Sequence, residues 1–147
     1  MSESKLPDWI QEHLDQYVKT NGKEGHLRDF TAGGGKPNTS NLLLTTVGRK
    51  SGKPIVLPLI YGKDGNNYLI VASKGGAPEH PAWYLNLAAK NLVEVQAGEK
   101  KFRAVARTAQ GEERKRLWNL MADVYPPYND YQKQTSREIP VVVLEPV

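Results

Sequence analysis

The stretch "NLLLTTVGRKSGKPIVLPLIYGKDGNNYLIVAS" (residues 41–73) decides the architecture. Leu42–Val47 is rich in β-forming residues and runs into a glycine-bracketed turn, Gly48-Arg49-Lys50-Ser51-Gly52. Ile55–Tyr61 reads as a second strand. Pro58 inside it has no N–H to give to a ladder, which marks an edge or bulged strand. Lys63-Asp64-Gly65-Asn66 is the next turn, because Asp-Gly accepts the positive φ that a tight hairpin requires. Tyr68–Ser73 then completes a three-strand meander.

On the N-terminal side, residues 6–20 place Leu6, Ile10, Leu14, Tyr17 and Val18 on one face at helical spacing, with Asn21-Gly22 as the stop. Residues 21–40 carry five glycines and no periodicity. A loop of that length inside a compact domain tends to be functional or mobile. On the C-terminal side, Trp83–Lys90 reads as a short helix, and Val93–Ala97 and Phe102–Thr108 as a hairpin. Residues 111–124 form a charged helix burying Leu117, Leu120, Met121 and Val124, and Pro126-Pro127 ends it. Val141–Leu144 is a buried strand. About six strands and three helices result: mainly β with flanking helices (α+β), an antiparallel sheet closing toward a small barrel with the helices outside. One domain is expected over 1–147. Residues 1–40 supply its helix and glycine-rich loop, and 41–147 its barrel core.

Composition narrows the chemistry. The 147 residues include no cysteine, which excludes disulfides, thiolate metal sites and cysteine nucleophiles. His13, His26 and His80 lack metal-ligand spacing, so no metal is expected. No apolar run reaches the ~20 residues a bilayer-spanning helix needs, and the opening "MSESKLPDW" has no signal-peptide core, so a cytoplasmic location is expected. The amphipathic first helix admits peripheral contact with the inner face of a membrane. The net charge of +4 permits an anionic partner without identifying it. Nucleic acid is disfavoured, since aromatic and basic residues do not alternate along a run. No Ser-His-Asp order, Walker lysine or Rossmann fingerprint is evident, so an enzyme of this sequence would take its hard chemistry from a cofactor.

Three clusters carry candidate chemistry. Arg49, Lys50 and Ser51 sit between Gly48 and Gly52, with Lys53 next, and the glycines allow close backbone approach to phosphate or carboxylate groups. "SKGG" (73–76) joins a strand to a helix, where exposed backbone N–H groups and Lys74 suit an anion. Both clusters can reach the same sheet edge and converge on one polyanion. Tyr125, Tyr128 and Tyr131, three apart, fit either a packing face or an aromatic pocket with phenolic hydrogen bonds.

Together "LLLTTVGRKSGKPIVLPLIY", "YLIVASKGGAPEHPAWYLNL", "VEVQ" and "YPPYNDYQ…REIPVVVLEP" resemble the deazaflavin-dependent nitroreductase family, from about Asn41 to Val147. Its members are oxidoreductases with a six-stranded antiparallel split β-barrel, FMN-binding-like, that use coenzyme F420, an 8-hydroxy-5-deazaflavin with a phosphate and an oligoglutamate tail. The resemblance implies that Arg49, Lys50 and Ser51 meet the phosphate and tail, and that Ser73, Lys74, Gly75 and Gly76 line the cofactor. It implies Pro58, Leu59 and Ile60 along the ring, with Trp83 and Asn86 on the helix facing it. Tyr125, Tyr128 and Tyr131 correspond to substrate-facing tyrosines; with Ser73 they are the catalytic candidates, and Tyr128 is the first choice of proton donor. Hydride transfer to a small-molecule acceptor (a quinone, nitroaromatic or activated enone) is the implied reaction. Some members have two adjacent aromatics where this chain has Ile60-Tyr61, which implies a reshaped ring-side pocket. Related split barrels bind FMN, so FMN is the alternative cofactor, as an enzyme or as a passive carrier. The physiological acceptor and the oligomeric state are not legible in the sequence.

Overall fold

A computed structural model describes residues 6–147. The chain runs α1 (Asp8–Lys19), β1 (Leu27–Arg28), β2 (Thr39–Val47), β3 (Pro54–Ile60), β4 (Gly62–Asp64), β5 (Asn67–Val71), α2 (Ala82–Ala89), β6 (Leu92–Ala97), β7 (Lys100–Thr108), α3 (Gly111–Val124), α4 (Pro127–Lys133) and β8 (Val141–Pro146). Short 3₁₀ turns cover Thr31–Gly33 and Lys74–Gly76.

All strand pairings are antiparallel, and the sheet order is β3-β2-β6-β7-β8-β5-β4, with β1 beside the start of β2. The expected meander is corrected in one respect. β3 pairs with β2 (Leu43 opposite Pro58), whereas β4 pairs with β5 (Lys63 opposite Tyr68) at the far end of the sheet. Only Tyr61 separates β3 from β4, so one bent strand joins both sheet ends and closes the barrel with six strands. The bend has physical causes. Tyr61 N–H still bonds Ser40 O on the β2 side (3.0 Å), while Gly62 passes under α3, where a Cβ would stand 2.6 Å from Met121 Sδ. Pro58 lies on β3, which has no second strand neighbour, so its missing N–H costs no ladder bond.

Period-two alternation divides the apolar residues between two cores. Leu42, Leu44, Tyr68, Ile70, Val93, Val95, Val142 and Leu144 fill the barrel. Leu69, Val71, Val141 and Val143 point the other way and meet Leu117 and Met121 of α3, with Tyr125 and Tyr128. The uninterrupted run at 141–144 is thereby explained: β8 is buried on both faces. Each large apolar side chain fully buried there contributes about 2 kcal/mol.

The N-terminal helix forms, but its buried face is rotated from the expected one. His13 and Tyr17 are buried and Val18 is 60% exposed. Hydrogen bonds fix that rotation. Tyr17 Oη donates toward Asn41 O (2.9 Å) and Gln96 O (3.1 Å) and accepts from Gly98 N–H (2.7 Å), while His13 Nε2–H donates to Gly25 O (2.8 Å). Turning Val18 inward would break this set. Pro126-Pro127 ends α3 as expected, but Pro127 also starts α4, where its fixed φ suits a first helical position.

Candidate functional site

A hollow of about 650 Å³ opens between β3, the 73–75 turn, α2 and α4, roofed by α1. Leu57, Pro58, Leu59 and Ile60 form one wall, and Pro81, Ala82 and Trp83 another. Trp83 is nearly buried, so its ring is held in place. Tyr125, Tyr128 and Tyr131 form the third wall. Their ring centroids lie 4.9 Å (125–128), 6.2 Å (125–131) and 6.3 Å (128–131) apart, and Tyr125 Oη and Tyr131 Oη are 3.2 Å from each other. The spacing thus serves both readings at once, since Tyr125 and Tyr128 belong to the outer core and also line the hollow. Burial, followed by contact with the neighbouring tyrosines, raises the pKa of Tyr125 and Tyr128, and both stay protonated hydroxyls well into the alkaline range.

Next to the hollow lies a second cleft of about 530 Å³, and Lys74 and Ala82 line both. Arg49, Lys74 and Arg137 bring cationic charge to this cleft against one carboxylate, Glu79, whose Oε1 sits 3.0 Å from Lys74 Nζ. One residue from each basic cluster, Arg49 and Lys74, therefore lines the same cleft, as expected, whereas Lys50, Ser51 and Lys53 do not. The means is Asn86. This buried side chain accepts from Arg49 N–H (3.2 Å) and Arg49 Nη1–H (3.1 Å) through Oδ1, while its Nδ2 faces Thr46 Oγ1 (3.4 Å). Asn86 lines neither hollow nor cleft; it aims Arg49.

The "SKGG" turn is unusual backbone. Lys74, Gly75 and Gly76 have φ of 47°, 62° and 83°, three left-handed residues in a row. For the non-glycine this costs on the order of 1 kcal/mol, so the surroundings must hold it. A Cβ on Gly76 would stand 2.7 Å from Tyr131 O, so only glycine lets the turn pack on α4 there. Arg137 grips the same segment from the other side, donating from Nε to Ala77 O (2.8 Å), from Nη1 to Ala72 O (3.2 Å) and His80 Nδ1 (3.1 Å), and from Nη2 to Ser73 O (2.7 Å).

Of the residues singled out from sequence, the structure gathers Pro58, Leu59, Ile60, Ser73, Lys74, Gly75, Trp83, Tyr125, Tyr128 and Tyr131 around the hollow, and Arg49 with Lys74 in the cleft. Lys50 and Ser51 are exposed on the β2–β3 turn and line neither; Ser51 Oγ accepts from Lys53 N–H (3.2 Å). Sequence reasoning missed Trp9, Ile10 and His13 as the roof, Phe30 and Asn41 as further lining, and His80 and Arg137 in the cleft. Phe30, alone among glycines, was the one local signal, and it stacks edge-on against Tyr125 at 5.9 Å. Among the described residues no group of three or more His, Asp or Glu side chains could hold a metal, and no helix is long and apolar enough to cross a membrane.

The model of the F420H(2)-dependent quinone reductase family matches residues 9–146. An F420H(2)-dependent quinone reductase of Mycobacterium tuberculosis (strain ATCC 25618 / H37Rv) is 40% identical, over 92% of this chain and 95% of its own. A solved structure described as an F420-H2 dependent reductase (FDR-A) is 46% identical with a TM-score of 0.67, over 71% of this chain and 93% of that one. Another, described as a domain-swapped dimer, is 39% identical with a TM-score of 0.70, over 94% of this chain and 98% of that one.

Proposed function

Because the chain belongs to the F420H(2)-dependent quinone reductase family, we propose that it passes a hydride from reduced coenzyme F420 to an electron-poor organic acceptor, a quinone first among them. The observation that carries this reading is the junction at Lys74: an apolar, tyrosine-walled hollow adjoins a cationic cleft, and Lys74 and Ala82 line both. The residues present fit the group. A flat deazaflavin suits the wall of Pro58, Leu59, Ile60 and Trp83, and a phosphate with an oligoglutamate tail suits Arg49 and Lys74.

When bound, the reduced deazaflavin supplies two electrons as hydride. The chain's own residues do the rest. Arg49, aimed by Asn86, and Lys74 anchor the charged end, with Lys50 and Ser51 available to a longer tail. Ser73, Gly75 and the edge strand position the ring, while Gly76 keeps the turn seated on α4. Trp9, Ile10 and Phe30 roof the hollow and cover part of it from solvent. Tyr125 and Tyr131 are engaged with each other, so Tyr128 is the hydroxyl assigned to donate a proton to the acceptor. Trp9, half-exposed beside Leu6 and Ile10 at the hollow's edge, suits an acceptor delivered from an apolar phase; co-sedimentation with anionic liposomes tests that contact.

The decisive experiment is a fluorescence titration with oxidised F420, followed by turnover with a panel of quinones and nitroaromatics. Arg49→Ala and Lys74→Ala are each expected to weaken binding by about tenfold, the loss of one charge-assisted contact. Unchanged curves for both variants would remove the site, and yellow protein that purifies with FMN would transfer the pocket to that cofactor.

A further inference from the structure

Arg137 makes a set of contacts that the proposed reaction does not yet use. Its guanidinium donates to the carbonyls of Ala72, Ser73 and Ala77 and to the His80 ring, so four bonds from one side chain span both ends of the left-handed turn. Among the described residues it forms no ion pair with a carboxylate within 4.0 Å, although it is partly buried, and burial lowers its pKa in spite of the opposing charge of Glu79. A surface arginine serving solubility would be solvated, and a structural ion pair would have its acid. This one gives three of its four bonds to backbone oxygens of a single segment and the fourth to the His80 ring.

That segment carries Lys74, which lines both hollow and cleft, and Gly75, which lines the hollow. Left-handed backbone at Lys74 is disfavoured on its own and must be held from outside. Gly76 packed on Tyr131 O holds one side, and Arg137 the other. We infer that Arg137 is the positioning residue of the cofactor site: its forked guanidinium ties Ser73 to Ala77 into the one turn that directs Lys74 and the Gly75 backbone at the ligand. This rests on the F420 reading above and adds to it a requirement for geometry as well as charge. A lysine keeps the charge but cannot reproduce a planar fork reaching three carbonyls and an imidazole.

The test compares wild type with Arg137→Lys and Arg137→Gln by fluorescence titration with oxidised F420, amide exchange of residues 74–77, and acceptor KM at saturating reduced F420. Both variants are expected to bind F420 at least about tenfold more weakly, to exchange those amides faster, and to keep the acceptor KM of the wild type. In the wild type, saturation with F420 is expected to slow exchange at 74–77, an outcome that needs no variant to fold. Wild-type affinity in Arg137→Lys would overturn the inference, because charge alone would then suffice. So would faster exchange with unchanged affinity, or no protection of the turn in the wild type on binding. Wild-type protein that binds no F420 would overturn the reading itself, which the variants alone cannot do.

Discussion

Tyr128 and Tyr17 show two uses of a buried phenol. Tyr128 sits among Tyr125 and Tyr131, and burial raises its pKa above that of an ordinary phenol, which is itself protonated at neutral pH. Tyr128→Phe is expected to lower acceptor turnover by about tenfold to a hundredfold, the range of a lost general acid, while leaving F420 affinity unchanged in the same titration. Unchanged turnover would assign protonation to water instead. Tyr17 is structural: it is fully buried and its hydroxyl serves Asn41 O, Gln96 O and Gly98 N–H together. Tyr17→Phe strands those groups and is expected to cost about 1–3 kcal/mol in urea unfolding at pH 7. Burial pushes the Tyr17 hydroxyl up to about 12. The folded state thus holds this proton more tightly than the unfolded one. The stability it confers is complete below pH 10 and is lost as the pH rises toward 12. Wild-type protein should show a flat unfolding midpoint up to about pH 10 and a decline beyond it, shallower in Tyr17→Phe.

Individual elements differ in how far the sequence revealed them. The strands were legible because alternation is a local property: Tyr68, Ile70 and Val142 inward, Leu69, Val71 and Val143 outward. The short helix α4 was not read as an element, since a seven-residue helix after a double proline has too few turns to show a period. The glycine-rich segment at 21–40, expected to be one loop, is a loop only in part, since Leu27–Arg28 forms β1 against Thr39 and Ser40 of β2, and it also walls the site. Gly35 shows why it does. A Cβ there would lie 2.8 Å from Tyr125 Cε1 and 2.9 Å from Phe30 Cβ. Gly35→Ala should displace the Tyr125 ring, raising acceptor KM several-fold by steady-state kinetics with the unfolding midpoint little changed; the cost of such crowding is about 1 kcal/mol. An unaltered KM would separate this loop from the acceptor.

At the scale of the whole molecule, barrel closure depends on the bent strand through Tyr61 and Gly62. Gly62→Ala puts a methyl against Met121 Sδ and Leu120 Cδ2 under α3, and should destabilise the fold by about 1–3 kcal/mol in thermal or urea unfolding. A variant as stable as the wild type would mean α3 is free to move away. The same closure explains what could be read in advance. Alternation, turn glycines, Pro58 and the basic clusters at 49–53 and 73–76 are properties of neighbours in the chain, so the sequence alone determined the longer strands, the edge character of β3 and the residue types for an anion, but not the short β1 and β4. That Arg49 meets Lys74, that Asn86 and Arg137 hold them, and that α1 roofs the hollow with Trp9 and His13 depend on contacts between residues far apart in the chain. Only the tertiary structure decided these, because a guanidinium seeking carbonyls finds its partner by distance in space, and no period or spacing along the chain records that distance.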